Sequence, residues 1–357
     1  MGEHCQINFK NYSAAILAGG KGTRIKALFP ELPKPLIEFN GKPVLFWQID
    51  SLLDLGIEKI FILAGYKAEI IKQRVNQCYD DKVVVIIEET PLDTFGCLSL
   101  VKNKVDRKYL IFLSGDLIFN INFNKFCLYH EQKNSECTLT VHSNFHPLDA
   151  DLIDYNEQTG KINELIVRPH PNEMLFLNNV NAAVSILNTE LISDVQDKFP
   201  QNFEKDFLPS LLQKERAIFA YKSIDYIRDI GTPERYNQAV NDLKNYFSDK
   251  LDFLESRKLV FFDILNFYRN LMENNQEKIL HFMNILDLCS KPNNLLIGYC
   301  IKDSNARRIV ETFLGKNKAK FDLVYEYSTT FENELSGFAK KFDISIQESN
   351  YKFAFKD

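Results

Sequence analysis

The chain has 357 residues, 45% hydrophobic and 25% charged, with a net charge of −5. At about 150 residues per domain the length suggests two domains, and the acidic balance supplies no basic field for nucleic acid or an anionic membrane surface. The longest apolar runs, such as Val83-Val84-Val85-Ile86-Ile87, are far shorter than the roughly 20 residues of a membrane span. The start, Met1-Gly2-Glu3-His4-Cys5-Gln6, lacks the basic-then-apolar pattern of a signal peptide. Seven scattered cysteines without a Cys-x-x-Cys pair read as reduced thiols of a cytoplasmic protein.

From about Ser13, apolar runs of strand length alternate with amphipathic helical stretches. Strands are expected at Ala14–Leu17, Lys59–Leu63, Lys82–Ile87 and Tyr109–Leu113, with helices near Val44–Leu55 and Lys67–Gln77. Such alternation predicts an α/β fold, a Rossmann-like doubly wound sheet, mixed but mostly parallel and covered on both faces. Ligands of these sheets bind beyond the carboxyl ends of the strands. A strand-rich stretch follows at Cys137–Val141, Lys161–Val167 and Ala182–Leu187, then helical patterns at Phe203–Leu212 and Pro233–Tyr246. The charged stretch Phe247–Lys258 is the expected boundary between a domain at 1–248 and a smaller α/β domain at 249–357. In the latter the alternation restarts with Leu259–Phe262, a helix near Gln276–Cys289, Asn294–Tyr299, a helix near Ser304–Phe313 and Phe321–Tyr325.

Glycine is scarce, fourteen in the whole chain, yet Gly19, Gly20 and Gly22 fall within four residues. They follow the first strand in Leu17-Ala18-Gly19-Gly20-Lys21-Gly22-Thr23-Arg24. Successive amides in such a loop make an anion-binding nest, and Arg24 adds a planar fork suited to phosphate. The sequence is neither a Walker A loop nor Gly-x-Gly-x-x-Gly.

The loop, followed by Leu32-Pro33-Lys34-Pro35-Leu36, resembles the signature of sugar-1-phosphate nucleotidyltransferases. Further matches come in the family's order: Leu113-Ser114-Gly115-Asp116, Asn181-Ala182, and Asp229-Ile230-Gly231-Thr232-Pro233-Glu234-Arg235-Tyr236. The resemblance spans roughly residues 13 to 245. It implies a nucleotide-diphospho-sugar transferase fold and transfer of a nucleotidyl group from an NTP to a sugar 1-phosphate, with release of pyrophosphate. By the same resemblance Asp116 and Asp229 hold Mg2+, Arg24 steadies the triphosphate and Lys34 binds phosphate near the reacting centre. The nucleotide site implied comprises Leu17, Ala18, Gly19, Gly20, Gly22, Thr23, Glu89, Pro91, Thr94, Gly96 and Gly115. Asp116 and Asp229 also have plain structural readings, as a helix cap and as part of a helix start.

Three recognition segments depart from the pattern. The family's base-binding loop, Pro-Leu-Gly-Thr-Gly-Gly-Ala and often preceded by an acid, is Glu89-Thr90-Pro91-Leu92-Asp93-Thr94-Phe95-Gly96-Cys97. A side chain at Asp93 or Phe95 either obstructs the base or, at Phe95, stacks on it. The lysine that contacts the sugar phosphate is replaced by Arg168 in Val167-Arg168-Pro169. Asn-Ala-Gly becomes Asn181-Ala182-Ala183. Glu204 matches the acid that orients sugar hydroxyls, and equally reads as an acid at a helix N-terminus.

Leu259-Val260-Phe261-Phe262-Asp263-Ile264-Leu265-Asn266 weakly resembles the first motif of haloacid-dehalogenase-like phosphatases, with counterparts near Phe321–Tyr325 and Ala339–Ile344. Leu265 stands where the general acid/base aspartate would be, so no phosphatase activity is expected. The whole points to the heptose-1-phosphate guanylyltransferase branch, with GTP as nucleotide and a product destined for surface polysaccharide. Cytidylyl, uridylyl or thymidylyl transfer to another phosphorylated acceptor is an alternative, as is a weak homologue that binds nucleotide sugar and regulates a partner. Self-association is compatible with all of these.

Overall fold

The computed structural model describes residues 7–171, 173–197, 199–246, 258–290, 294–301, 304–327 and 351–354. The chain opens with β1 (Tyr12–Ala18), β2 (Glu38–Phe39), β3 (Lys42–Pro43), α1 (Val44–Asp54), β4 (Ile60–Ala64), α2 (Ala68–Cys78) and β5 (Val83–Ile87). There follow the short α3 (Asp93–Gly96), β6 (Tyr109–Ser114), β7 (Leu117–Phe119), α4 (Phe123–Gln132), β8 (Cys137–His142), β9 (Leu152–Tyr155), β10 (Ile162–Ile166) and β11 (Val180–Asn188). Next come α5 (Leu208–Gln213), β12 (Ile218–Lys222), β13 (Ile227–Asp229) and α6 (Pro233–Tyr246). The C-terminal stretch holds β14 (Lys258–Asp263), α7 (Ile264–Met272), α8 (Gln276–Cys289), β15 (Asn294–Ile301), α9 (Ser304–Lys316), β16 (Leu323–Tyr327) and β17 (Tyr351–Ala354).

Two compact units result. One comprises Met1–Val141, Tyr155–Leu165 and Asn181–Asn245; the other comprises His142–Asp154, Ile166–Val180 and Tyr246–Asp357. A contiguous division near residue 248 was expected; these units are discontinuous, with residues 142–154 and 166–180 grouped with the C-terminal residues.

In the first unit the sheet runs β5-β4-β1-β6-β11, and β8 pairs with both β11 and β12. β1 lies parallel to β4 and β6, β4 is parallel to β5, and β11 is antiparallel to β6. This is the mixed, mostly parallel sheet expected from the alternation. Ala14, Ala15 and Ile16 of β1 are fully buried because crossover helices leave neither face of a central strand to water. The parallel strands carry the loops after β1, β4, β5 and β6 to one edge of the sheet, the edge where α/β sheets bind ligands. The helical pattern expected over Phe203–Leu212 is two elements, a π-helical turn at Phe203–Phe207 and then α5.

At the opposite end of the strands, beside Tyr109 where β6 begins, His130 of α4 is fully buried, its ring nitrogens 2.7 Å from Thr138 Oγ1 and 3.3 Å from Asn188 Oδ1. Burial, aided by Lys108 and partly offset by Asn188, pushes its imidazole down to about 4. Between about pH 6.5 and 4 the unfolded chain then binds the proton that the folded chain refuses, so stability falls as pH drops through that window. Urea unfolding across this range should lose about 3 kcal/mol from this group, and a His130→Gln protein should lack that part of the slope.

In the second unit β16-β15-β14-β17 form a parallel sheet around Val260, Phe262, Phe267 and Phe282. β14 ends at Asp263, whose carboxylate accepts the Asn266 amide at 3.0 Å and caps α7. Ile264, Leu265 and Asn266 are the first turn of that helix. The proposed phosphatase counterpart at 339–344 lies outside the described residues.

Candidate active site

The glycine loop leaves β1 at Leu17 and Ala18. Gly22 adopts φ +58°, a left-handed conformation that suits glycine. The loop is stitched to neighbouring strand ends: Tyr66 N donates to Gly19 O at 3.1 Å, and Gly115 N donates to Leu17 O at 2.8 Å. A Cβ on Gly115 would lie 2.5 Å from Leu17 O, so any side chain there would force the two loops apart. Buried Ile25 pins the far end, while Lys21, Thr23 and Arg24 are exposed and nothing lies within 4 Å of a Cβ built on Gly20. The loop's backbone is open to a ligand.

Four charged residues converge beside it. Lys34 starts a short 3-10 turn held by buried Pro33, Pro35 and Leu36. Its ammonium contacts the Asp116 carboxylate, whose other oxygen accepts the Ser114 hydroxyl at 2.5 Å. Asp116 sits in the turn between β6 and β7. Buried Gln48 of α1 fixes that turn by donating to Ser114 O at 3.0 Å and Leu117 O at 2.8 Å. Asp229 arrives on β13, paired with Leu117 of β7, and Ile230 N donates to Asp116 O at 3.0 Å. The two aspartates therefore come from adjoining chain segments. A Cβ built on Gly231 would lie 3.4 Å from Lys34 Nζ and 3.6 Å from an Arg24 guanidinium nitrogen, which brings Arg24 and Lys34 to the same spot.

Asp229 is locked by Arg235, 3.0 and 3.2 Å from its two oxygens, and by the Gly231 amide at 2.8 Å. Burial works to raise its carboxyl, but Arg235, the Gly231 amide and Lys34 outweigh it and hold it below the ordinary carboxylate range. Gln48, Ser114 and Arg235 were not assigned roles from sequence. Arg235 had a local signal, its position one turn inside a helix that starts at Pro233; Gln48, in an otherwise apolar helix face, had none.

On the β5 side, Glu88 and Glu89 have different fates. Glu89 is exposed, whereas Glu88 turns inward. Its Oε2 would lie 2.7 Å from a Cβ on Gly19 and 2.9 Å from one on Gly65, and its Oε1 accepts the Leu92 amide at 2.6 Å. Burial raises the Glu88 carboxyl, with Asp93 adding to it and the Leu92 amide opposing. The acid at this edge is Glu88, one residue from the position assigned from sequence. Pro91 is exposed.

Two of the positions where glycine was expected have left-handed backbone. Asp93 has φ +62° and Ala183 φ +54°, both left-handed conformations strained for a side-chain-bearing residue. Phe95 neither obstructs nor stacks on a ligand: it is 1% exposed and stacked on Phe207 at 3.7 Å. Thr94 and Gly96 face the same junction. Thr94 Oγ1 accepts Phe203 N at 2.8 Å, Gly96 N donates to Gln201 O at 3.0 Å, and Asn202 Nδ2 donates to Asp93 Oδ1 at 3.1 Å. Asn202 also caps the turn that bears Glu204, accepting its amide at 3.0 Å. Asn181 Nδ2 donates to Glu204 Oε1 at 3.2 Å, so these two acceptor candidates meet. Arg168 belongs to the second unit, where its amide donates to Asp151 Oδ1 at 3.0 Å and its guanidinium contacts the Asp149 carbonyl.

A family model described as nucleotidyl transferase matches residues 13–246. The chain belongs to the nucleotidyl transferase family. A mannose-1-phosphate guanyltransferase of Yarrowia lipolytica is 30% identical over 229 residues, which are 62% of this chain and 61% of that protein. The mannose-1-phosphate guanylyltransferase catalytic subunit beta of Danio rerio is 27% identical over 228 residues, 62% of each chain. The chain thus spans about three fifths of the length of these curated relatives. Among solved structures, HddC from Yersinia pseudotuberculosis superposes with a TM-score of 0.56 at 27% identity, covering 65% of this chain and 99% of that one. HddC complexed with GMP-PN gives 0.55 at 26% identity, with the same coverage.

Proposed function

We propose that the protein transfers guanylyl from GTP to a manno-configured sugar 1-phosphate, mannose 1-phosphate or the heptose 1-phosphate of like ring, and releases pyrophosphate. The observation that carries this reading is the convergence of Arg24, Lys34, Asp116 and Asp229 beside the open glycine loop. The acceptor's phosphate oxygen attacks the α-phosphorus, a new P–O bond forms, and the α–β bridging bond breaks with its electrons leaving on pyrophosphate. Both reactants are polyanions, so the protein's task is alignment and charge neutralisation. The loop amides and Arg24 grip the triphosphate and the departing pyrophosphate. Lys34 neutralises charge near the reacting phosphorus. Asp116 and Asp229, hard oxygen donors from adjoining segments, suit Mg2+, which takes one or two carboxylates and fills its remaining positions with phosphate oxygens and water. Among the described residues no group of three or more His, Cys, Asp or Glu that could hold a metal ion occurs. When bound, the ion would neutralise charge on the phosphate oxygens.

Glu88 supports guanine. The carboxyl group carries two oxygens that can accept hydrogen bonds, and guanine offers adjacent N1–H and N2–H donors, whereas the uracil and thymine rings flank one N–H with two carbonyls. Asn181 and Glu204 would address sugar hydroxyls. The C-terminal unit we read as lacking phosphatase activity, since Asp263 is engaged as a helix cap and Leu265 follows it at the second position. No described helix is long and apolar enough to cross a membrane; action in the cytoplasm, on the way to surface polysaccharide, fits this reading.

The test is pyrophosphate release with each NTP, Mg2+ and a panel of sugar 1-phosphates. Highest kcat/KM with GTP and a manno-configured acceptor is expected. Preference for a pyrimidine nucleotide would overturn the base assignment, and tight nucleotide-sugar binding without turnover would favour a regulatory homologue.

A further inference from the structure

Within the first unit, a run of hydrogen bonds joins the loop that follows Glu88 to the turn that bears Glu204. Glu88 Oε1 accepts Leu92 N at 2.6 Å, Leu92 O accepts Gln201 N at 2.9 Å, and Phe95 N donates to Gln201 O at 2.8 Å. The approach is close: a Cβ built on Gly96 would lie 2.6 Å from Phe199 O. Asn202 comes next, and each of its polar groups is engaged. Its backbone N–H donates to Asp206 Oδ2 at 2.7 Å, and its carbonyl accepts Asp206 N and Phe207 N, each at 3.1 Å. Its side-chain oxygen accepts Glu204 N at 3.0 Å and Lys205 N at 2.9 Å. Its side-chain nitrogen donates to Asp93 Oδ1 at 3.1 Å. The amide plane of Asn202 is therefore fixed from both sides, by the turn it caps and by Asp93.

Asp93 is an unfavourable residue for its own backbone. Its φ of +62° suits glycine, and a side chain there is strained. Its carboxylate does what glycine cannot: the oxygen that meets Asn202 also accepts Thr94 N at 2.6 Å. One oxygen thus ties its own loop to a residue more than a hundred positions further along the chain. Two residues beyond Asn202, Glu204 Oε1 accepts Asn181 Nδ2 at 3.2 Å, and Asn181 Oδ1 accepts Ala183 N at 3.2 Å. A shift of Asn202 would carry Glu204 away from Asn181.

We infer that the Asp93–Asn202 bridge sets the position of Glu204 for the acceptor sugar, with Asp93 and Asn202 as positioning residues. The inference rests on the sugar-hydroxyl roles proposed above for Asn181 and Glu204. It makes the loop beside Glu88 a determinant of acceptor use through a contact made entirely within the protein.

The experiment compares full-length Asp93→Gly, Asp93→Asn and Asn202→Ser proteins with the parent, by steady-state kinetics in both substrates and by amide hydrogen exchange. Asp93→Gly suits the left-handed backbone and removes the acceptor oxygen. Asp93→Asn keeps an acceptor oxygen on a side chain that tolerates this backbone. Both lose the charge that helps to raise the Glu88 carboxyl, so their difference isolates the hydrogen bonds of that oxygen. Asn202→Ser keeps an oxygen to cap the turn and removes the nitrogen that reaches Asp93. Asp93→Gly and Asn202→Ser should each raise the KM for sugar 1-phosphate about fivefold, as one lost hydrogen bond would, while Asp93→Asn stays within about twofold of the parent. The nucleotide KM of Asp93→Gly should lie within about twofold of that of Asp93→Asn. The double Asp93→Gly, Asn202→Ser protein should be no worse than either single variant, because both remove the same contact. Exchange over 202–207 should quicken in Asp93→Gly and Asn202→Ser and stay parental in Asp93→Asn. An unchanged acceptor KM in Asp93→Gly and Asn202→Ser, an equal rise in Asp93→Asn, additive effects in the double variant, or unchanged exchange over 202–207 would each overturn the inference alone. A parent that turns over none of the substrate pairs would overturn the proposed function, and the acceptor role of the bridge with it.

Discussion

Asp229→Asn should lower kcat by roughly a hundred- to a thousandfold while the protein remains folded. The substitution keeps the shape, and its amide oxygen can still accept the Gly231 N–H that Asp229 now receives at 2.8 Å. What it removes is charge. Arg235 and Lys34 hold the Asp229 carboxyl ionised, and only an ionised carboxylate gives a hard, negative ligand for Mg2+. The loss should fall on kcat, with nucleotide affinity measured in the absence of metal little changed. Circular dichroism and a thermal scan check the fold. Turnover within threefold of the parent would remove Asp229 from the metal site.

Lys34→Met should reduce kcat about a hundredfold. The methionine has similar length and packs as well among Pro33, Pro35 and Leu36, so the effect isolates the ammonium. That ammonium contacts Asp116, lowers the Asp229 carboxyl and lies beside Arg24 near Gly231. Lys34→Arg should not restore the rate. Guanidinium is a wider, planar group that does not reproduce a compact ammonium. Pyrophosphate release at saturating substrates reads both variants, and near-parental rates for Lys34→Arg would show that charge alone suffices.

The legibility of this chain followed the range of the interactions that shape it. Helices Pro233–Tyr246 and Gln276–Cys289 begin and end where their local signals put them, because caps such as Asn275 and a proline at the first position act within one turn. Strands of three residues, Leu117–Phe119 and Ile227–Asp229, have no such signal. They exist because each pairs with the other across more than a hundred residues. Glu88 and Glu89 could not be told apart by type, since a shift of one residue in an extended chain turns a side chain to the opposite face. The positions where glycine was expected could be read as departures. The left-handed backbone at Asp93 and Ala183 has no local signal, and the burial of Phe95 against Phe207 and the hydrogen bonds of residues 92–96 to Gln201 and Asn202 join segments about a hundred residues apart. The grouping of residues 142–154 and 166–180 with the C-terminal unit rests on hydrogen bonds between residues more than 130 apart, such as Asn178 with Glu311, and no local pattern encodes it.

The most direct test of the central claim is a single label transfer. The full-length protein is incubated with GTP labelled at the α-phosphorus, mannose 1-phosphate or the corresponding heptose 1-phosphate, and Mg2+, and the products are separated. The mechanism predicts label in a guanosine diphosphate sugar, one pyrophosphate released per sugar consumed, and both products forming roughly a hundred- to a thousandfold more slowly with the Asp229→Asn protein. Label recovered only as unreacted GTP or as GMP, with no nucleotide sugar from either acceptor, would contradict it.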